Sequence, residues 1–356
     1  METIWFVIVA VMLAGYVLLD GFDLGAGAIH LFAARTDKER REVLATIGPV
    51  WDGNEVWLLA AGGTLYFAFP ALYAAGFSGF YLALMVVLWL LMLRGISIEF
   101  RNHLTGPVWR PFWDAVFSGS SILLAIFYGA ALGNVVRGVP LDKEGFFFVP
   151  FWTNFQPFGA NPGIIDWYTV LVGVAALLVL TMHGSLWVTS KTNGDLQRRS
   201  RAIASNLYWA VWVAVLVISV TSFSVQPHLW QSFQERSWTW AFPLLATLGL
   251  FGLKLCQRSK LDLGAFISSG VFIVGLLCSA AFGLYPNVLP GVPTSANSLT
   301  IYNAAAAPYG LSMGFYWWVP AFLLALGYSF FVYRHFRGKV HVSDGPAILE
   351  PAAVGD

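Results

Sequence analysis

The sequence predicts an all-α integral membrane protein of about nine transmembrane helices, arranged as two four-helix groups with one helix at the periphery. Three observations predict it. Of 356 residues, 58% are hydrophobic and only 11% charged, too little charge to coat a soluble surface of this size. Apolar stretches long enough to cross ~30 Å of hydrocarbon recur along the chain. The Lys and Arg residues gather in alternate connections between them.

The first stretch, Thr3–Leu31, lacks the basic start, short apolar centre and small-residue cleavage site of a secretory signal, so it reads as an uncleaved span. The second and third run over Pro49–Tyr73 and Phe77–Ile98, and the fourth over Trp113–Val136. Gly15, Gly21, Gly25 and Gly27 in the first and Gly62 and Gly63 in the second suit close helix approach, which predicts a tight hairpin with its polar residues turned inward. The second group follows at Ile164–Ser190, Ala202–Val225, Trp238–Cys256 and Gly264–Leu284, and the ninth span at Leu311–Tyr333. The whole reads as one membrane domain over 1–340, with helices 1–4 at about 3–136, helices 5–8 at 164–284, helix 9 at 311–333 and a short tail at 341–356.

Seventeen of the 20 Lys and Arg flank the odd-numbered turns and the C-terminus, leaving Arg137, Lys143 and Arg236 for the other face. By the positive-inside rule the N-terminus is outside and the C-terminus cytoplasmic. The outer connections, about Arg137–Gly163, Gln226–Ser237 and Tyr285–Gly310, are rich in proline and aromatics; an interfacial belt and a quinone or partner groove are both open readings. A net charge of +1 leaves no basic stripe for nucleic acid. Cys256 and Cys278 fall at different predicted depths, which argues against a disulfide, and no metal-ligand spacing occurs. Walker loops, dinucleotide fingerprints and catalytic triads are absent.

The chemistry concentrates in four acids. Asp20 and Asp23 lie inside the first span, Asp52 and Glu55 inside the second, each pair about one turn apart on one helix face. Counted from the span ends at ~1.5 Å per residue, Asp52 and Glu55 lie ~5 and ~9 Å from the inner surface and Asp23 and Asp20 ~12 and ~17 Å, a staircase toward the midplane with no basic residue assigned to it. Carboxyls that deep can be neutral or charged, which suits proton carriage. The competing reading is packing, with Asp52 capping the second helix. Arg94, Glu99 and Arg101 mark the exit of the third span, as a positive-inside boundary or as a special ion pair. Only His30 and His183 fall within spans, both near the inner ends, so no facing pair of haem ligands is evident. The methionines read as packing residues.

Three motifs then carry a resemblance. Gly21-Phe22-Asp23-Leu24-Gly25-Ala26-Gly27, Trp51-Asp52-Gly53-Asn54-Glu55-Val56-Trp57 and Ala75-Gly76-Phe77-Ser78-Gly79-Phe80-Tyr81 resemble subunit II of the cytochrome bd quinol oxidases, more loosely so through Gly133–Pro140 and Asn297–Ile301. The resemblance implies a multi-pass subunit of a bacterial inner-membrane respiratory oxidase that passes electrons from quinol to dioxygen. It implies b- and d-type haems and the quinol site on a larger partner, subunit I, often with a small single-span subunit, surrounding lipid and a structural quinone. Some members carry His where this chain has Val50 and Gln where it has Glu55. In that setting Asp20, Asp23, Asp52 and Glu55 are expected to line an inner proton-entry path, with Trp51, Asn54, Trp57, Arg94, Glu99 and Arg101 in support. The rival readings are a proton-coupled transporter, for which buried acids concentrated in two spans fit poorly, and a purely structural membrane subunit.

Overall fold

The computed structural model describes residues 1–153 and 163–342; part of the outer connection Arg137–Gly163 and nearly all of the tail at 341–356 therefore lie outside the described residues. Helix α1, Glu2–Ala33, is the centre of the bundle, and α3, α6, α7 and α11 pack around it. Its second half is buried residue after residue from Asp20 to His30. Glycine makes this approach achievable. A Cβ on Gly25 would stand 1.9 Å from the Leu180 carbonyl oxygen, and one on Gly184 2.3 Å from the Ala26 nitrogen. Two small residues facing each other thus bring the backbones of α1 and α7 into contact.

After α1 the chain forms a short helix, α2 (Asp37–Ile47), that the apolar pattern did not predict. Its start is nonetheless written in Thr36-Asp37-Lys38-Glu39: the Thr36 side chain accepts from the Glu39 N–H while Glu39 accepts from the Thr36 N–H. The predicted second span is corrected: α3 runs only over Trp51–Ala68, and α4 (Pro70–Gly79) begins at a proline. Proline disfavours helical geometry at the residue before it, and Phe69 accordingly leaves the helix at φ −133°, ψ 65°. A further break at Phe80 starts α5 (Tyr81–Phe100) later than the predicted third span.

The remaining helices are α6 (Trp109–Arg137), α7 (Trp167–Lys191), α8 (Gly194–Val225), the short α9 (His228–Glu235), α10 (Ala241–Arg258), α11 (Asp262–Leu284) and α12 (Pro308–His335). Among the described residues eight helical segments are long and apolar enough to cross a membrane; α3 is not one of them, because Asp52, Asn54 and Glu55 sit in its first turns. Helix α12 lies at the periphery along α3, with only Leu311 of its residues buried. It is tied there by the Trp5 indole N–H on the Leu311 carbonyl (3.1 Å) and by the Tyr333 hydroxyl on Asn54 (2.7 Å). At the end poor in Lys and Arg, β1 (Asn287–Leu289) pairs antiparallel with β2 (Leu299–Thr300), and a buried Arg137–Asp166 ion pair pins the start of α7 to the end of α6.

Candidate functional site

The acids of α1 and α3 do come together, but with a partner that the depth argument had left out. Arg94 on α5 is fully buried and grips Asp20 with both ends of its guanidinium, Nη1 to Oδ2 at 2.8 Å and Nη2 to Oδ1 at 2.5 Å. It also reaches Glu55 at 3.3 Å. The expectation of acids without a basic partner is thus overturned for Asp20 and Glu55, and the boundary reading of Arg94 with it. Arg94 shares the buried face of α5 with Leu90, Ser97 and Ile98, and so points inward rather than to the surface. On its far side Asp20 accepts from the Tyr16 hydroxyl (2.8 Å), which pairs in turn with Tyr128 of α6 at 2.8 Å.

Asp23 is placed differently. It is buried, its Oδ2 accepts from the Asn54 amide at 2.8 Å, and its Oδ1 has no hydrogen-bond partner among the described residues. Asn54 also accepts from Tyr333 on α12. A continuous polar chain therefore runs Tyr333–Asn54–Asp23 through an apolar bundle. Sequence reasoning missed Tyr333 and Tyr128; a tyrosine at helical spacing in an apolar run carries no signal of its partner.

The other candidates divide. Asp52 is exposed in the first turn of α3, whose N-cap is Val50, so it favours the helix dipole without capping the helix. Glu55 is half-buried, the member of the set that reaches the bundle surface beside Arg94. Trp51 packs over Gly95 and Trp57 over Gly15, roles in packing. Glu99 is exposed and outside the network. Arg101 is buried in a second cluster, where its Nε donates to Asp114 at 2.5 Å and its Nη2 to Asp37 at 2.9 Å. Asp114, fully buried, also meets His30 at 2.6 Å and Arg40 at 2.9 Å. The signal for this cluster was an acid, Asp114, at the very edge of a span and four residues past Arg110.

The two histidines of the bundle differ in how their rings are held. His183 uses both ring nitrogens, one on Ser269 (2.6 Å) and one on the Leu18 carbonyl (3.1 Å), and His30 is held by Asp114. His30 is engaged through Nε2 alone, its Nδ1 having no hydrogen-bond partner among the described residues.

Residues 1–336 match the family model described as cytochrome bd terminal oxidase subunit II. The chain belongs to this family. It is 30% identical over 95% of its length to the probable cytochrome oxidase subunit 2 of Haemophilus influenzae, covering 94% of that protein. It is 31% identical to the cytochrome bd ubiquinol oxidase subunit 2 of Bacillus subtilis, covering 96% of this chain and 97% of that one. The structure of bd oxidase from Geobacillus thermodenitrificans superposes with a TM-score of 0.71 at 15% identity, over 94% of this chain and 98% of its own, which shows a shared fold. As a cytochrome bd subunit II, the chain is a multi-pass membrane component of a quinol oxidase complex.

Proposed function

We propose that this chain is the haem-free half of a quinol-to-dioxygen oxidoreductase in a bacterial inner membrane, and that its buried acids supply protons for oxygen reduction on a haem-bearing subunit I. In this reading the b and d haems and the quinol site lie on subunit I, α3 serves as a ninth span, and the Lys- and Arg-rich end faces the cytoplasm. A small single-span subunit and a bound structural quinone complete the assembly. The rival transporter reading gains no support from a chain that belongs to an oxidase family.

The observation that carries the proton reading is the polar chain Tyr333–Asn54–Asp23 beside the Arg94-bound acids. The two acids of α1 have separate tasks. Asp20 is held as a fixed counter-charge by a bidentate guanidinium, a geometry that resists rearrangement. Asp23 has a neutral amide for partner and one free oxygen, so it can take and release a proton with small side-chain motion. Protons enter from the basic end past Tyr333 and Asp52, reside on Asp23, and leave through Glu55, which stands at the bundle surface. The test is the series Asp20→Asn, Asp23→Asn and Asp52→Asn in the assembled oxidase, with quinol-driven oxygen consumption read against haem content. Asp23→Asn should keep haem and lose roughly 10-fold or more in turnover, while Asp20→Asn should lose haem and assembly. If all three keep haem and wild-type turnover across pH, the path does not run through them.

A further inference from the structure

At the Lys- and Arg-rich end of the bundle a cavity of about 310 Å³ opens between the ends of α2, α7 and α12. Its polar wall is Lys191, His335, Arg337, Lys339 and His341, its apolar wall includes Trp187 and Val50, and among the described residues no carboxylate lines it. The chain leaving α12 forms the roof. Gly338 takes φ 101°, a conformation that side-chain-bearing residues rarely adopt, and this turns the strap back so that the Val340 N–H donates to the Lys191 carbonyl at 2.8 Å.

The cations of this wall are placed but not neutralised. Lys191 Nζ donates to the Phe336 carbonyl at 2.7 Å, and Lys339 Nζ donates to the Thr192 carbonyl and to Asn193 Oδ1, each at 2.8 Å. An ammonium has three donors, so both retain capacity. Several basic residues elsewhere at this end meet carboxylates: Arg101 and Arg110 meet Asp37, Arg199 meets Glu39 and Arg201 meets Asp262. Among the described residues Lys191, Arg337 and Lys339 meet none. A second cleft of about 380 Å³, lined by Phe331, Arg334, His335 and Arg337, adjoins the cavity and shares two residues with it. Phe331 is 66% exposed on the outer side of α12.

We propose that this cavity binds the phosphate of an anionic phospholipid headgroup, with Arg337, Lys339 and Lys191 on the phosphate and the acyl chains lying along Phe331. Cationic pockets between membrane helices at the basic surface concentrate anionic headgroups, and a guanidinium fork matches phosphate oxygens. The apolar side of the paired clefts distinguishes a lipid from free phosphate, which has nothing to place against Phe331. Tyr333, which donates to Asn54, also lines the cavity, so the site adjoins the acid network, but the phosphate contacts proposed do not depend on that network's role.

The experiment uses the assembled oxidase in detergent, with spin-labelled phosphatidylglycerol as probe. The expected result is a motionally restricted lipid that unlabelled phosphatidylglycerol displaces and phosphatidylcholine does not. The double variant Arg337→Gln, Lys339→Gln should weaken its retention roughly 10- to 30-fold, with haem content unchanged, while Arg337→Lys with Lys339→Arg should keep it. Arg198→Gln, on an exposed residue paired with Asp195, should change nothing. Equal retention by the neutralised double variant, or equal displacement by phosphatidylcholine, overturns the proposal. Displacement by millimolar inorganic phosphate as effective as that by lipid also overturns it, in favour of a free-phosphate site.

Discussion

Arg94 decides how the acids are read. A guanidinium and a carboxylate buried together cost desolvation, and what remains favourable is the fit between them. Removing one member leaves the other as an unpaired charge in an apolar surround, so Arg94→Gln should destabilise the subunit by about 3–5 kcal/mol. The check is the thermal midpoint and haem retention of the complex, with the double variant Arg94→Gln, Asp20→Asn recovering part of the loss. No recovery would mean that the pair does not act as a unit. The positions of Asp20, Asp23, Asn54 and Glu55 were legible in the sequence because acids and amides stand out in apolar runs. Their partners were not, because Arg94 reads locally as a boundary residue and Tyr333 only as the last residue of the ninth span. Three-dimensional pairing decides both, and helix periodicity on one span says nothing about which face of another it meets.

At the scale of elements, the fold rests on places where two helices touch through backbone. Gly184→Ala puts a Cβ 2.3 Å from the Ala26 nitrogen, so α1 and α7 must separate. Overpacking of this kind costs ~1–3 kcal/mol, and lower assembly yield with a lower thermal midpoint is the expected reading. The glycines of α1 were legible as a tendency toward close packing, but Gly62 and Gly63 of the second span, expected to answer them, meet nothing within 4 Å, and the backbone contact is with Gly184 of α7, distant in sequence. The break at Phe69 was written in Pro70 and overridden by the apolar run around it. Helix α2 was signalled by its capping box and hidden by its low hydrophobicity.

The clasp on α2 makes a pH prediction. Glu39 is partly buried, which favours its neutral form, but the Arg35 N–H and the Arg199 guanidinium outweigh this and hold its carboxyl below the usual value of 4.5. A depressed folded value stabilises above the ordinary carboxylate range and is lost as pH falls through the folded value. The mobility of a spin label on α2 should therefore be constant from neutral pH to about 4.5 and rise below it. Glu39→Gln should show raised mobility throughout, a loss of about 1 kcal/mol of cap. A pH step that persists in that variant would assign it to another group.

At the scale of the molecule, α12 is joined to the bundle by few contacts and yet closes the polar chain to Asp23 through Tyr333. Composition made the membrane class plain, and apolar length marks eight candidate spans among the described residues, with α3 falling short. The family followed from the residues around Asp23 and Asn54, the same ones that build the network. What composition could not supply was the division of labour between Asp20, fixed by Arg94, and Asp23, held only by an amide. That division is the centre of the account, and membrane potential tests it most directly. In vesicles containing the assembled oxidase at matched haem content, quinol is added and the rate of potential build-up is recorded for wild type, Asp23→Asn and Tyr333→Phe. The account expects Asp23→Asn to slow the rise roughly 10-fold or more and Tyr333→Phe to slow it less, with haem spectra unchanged; wild-type rates in Asp23→Asn at full haem content would contradict it.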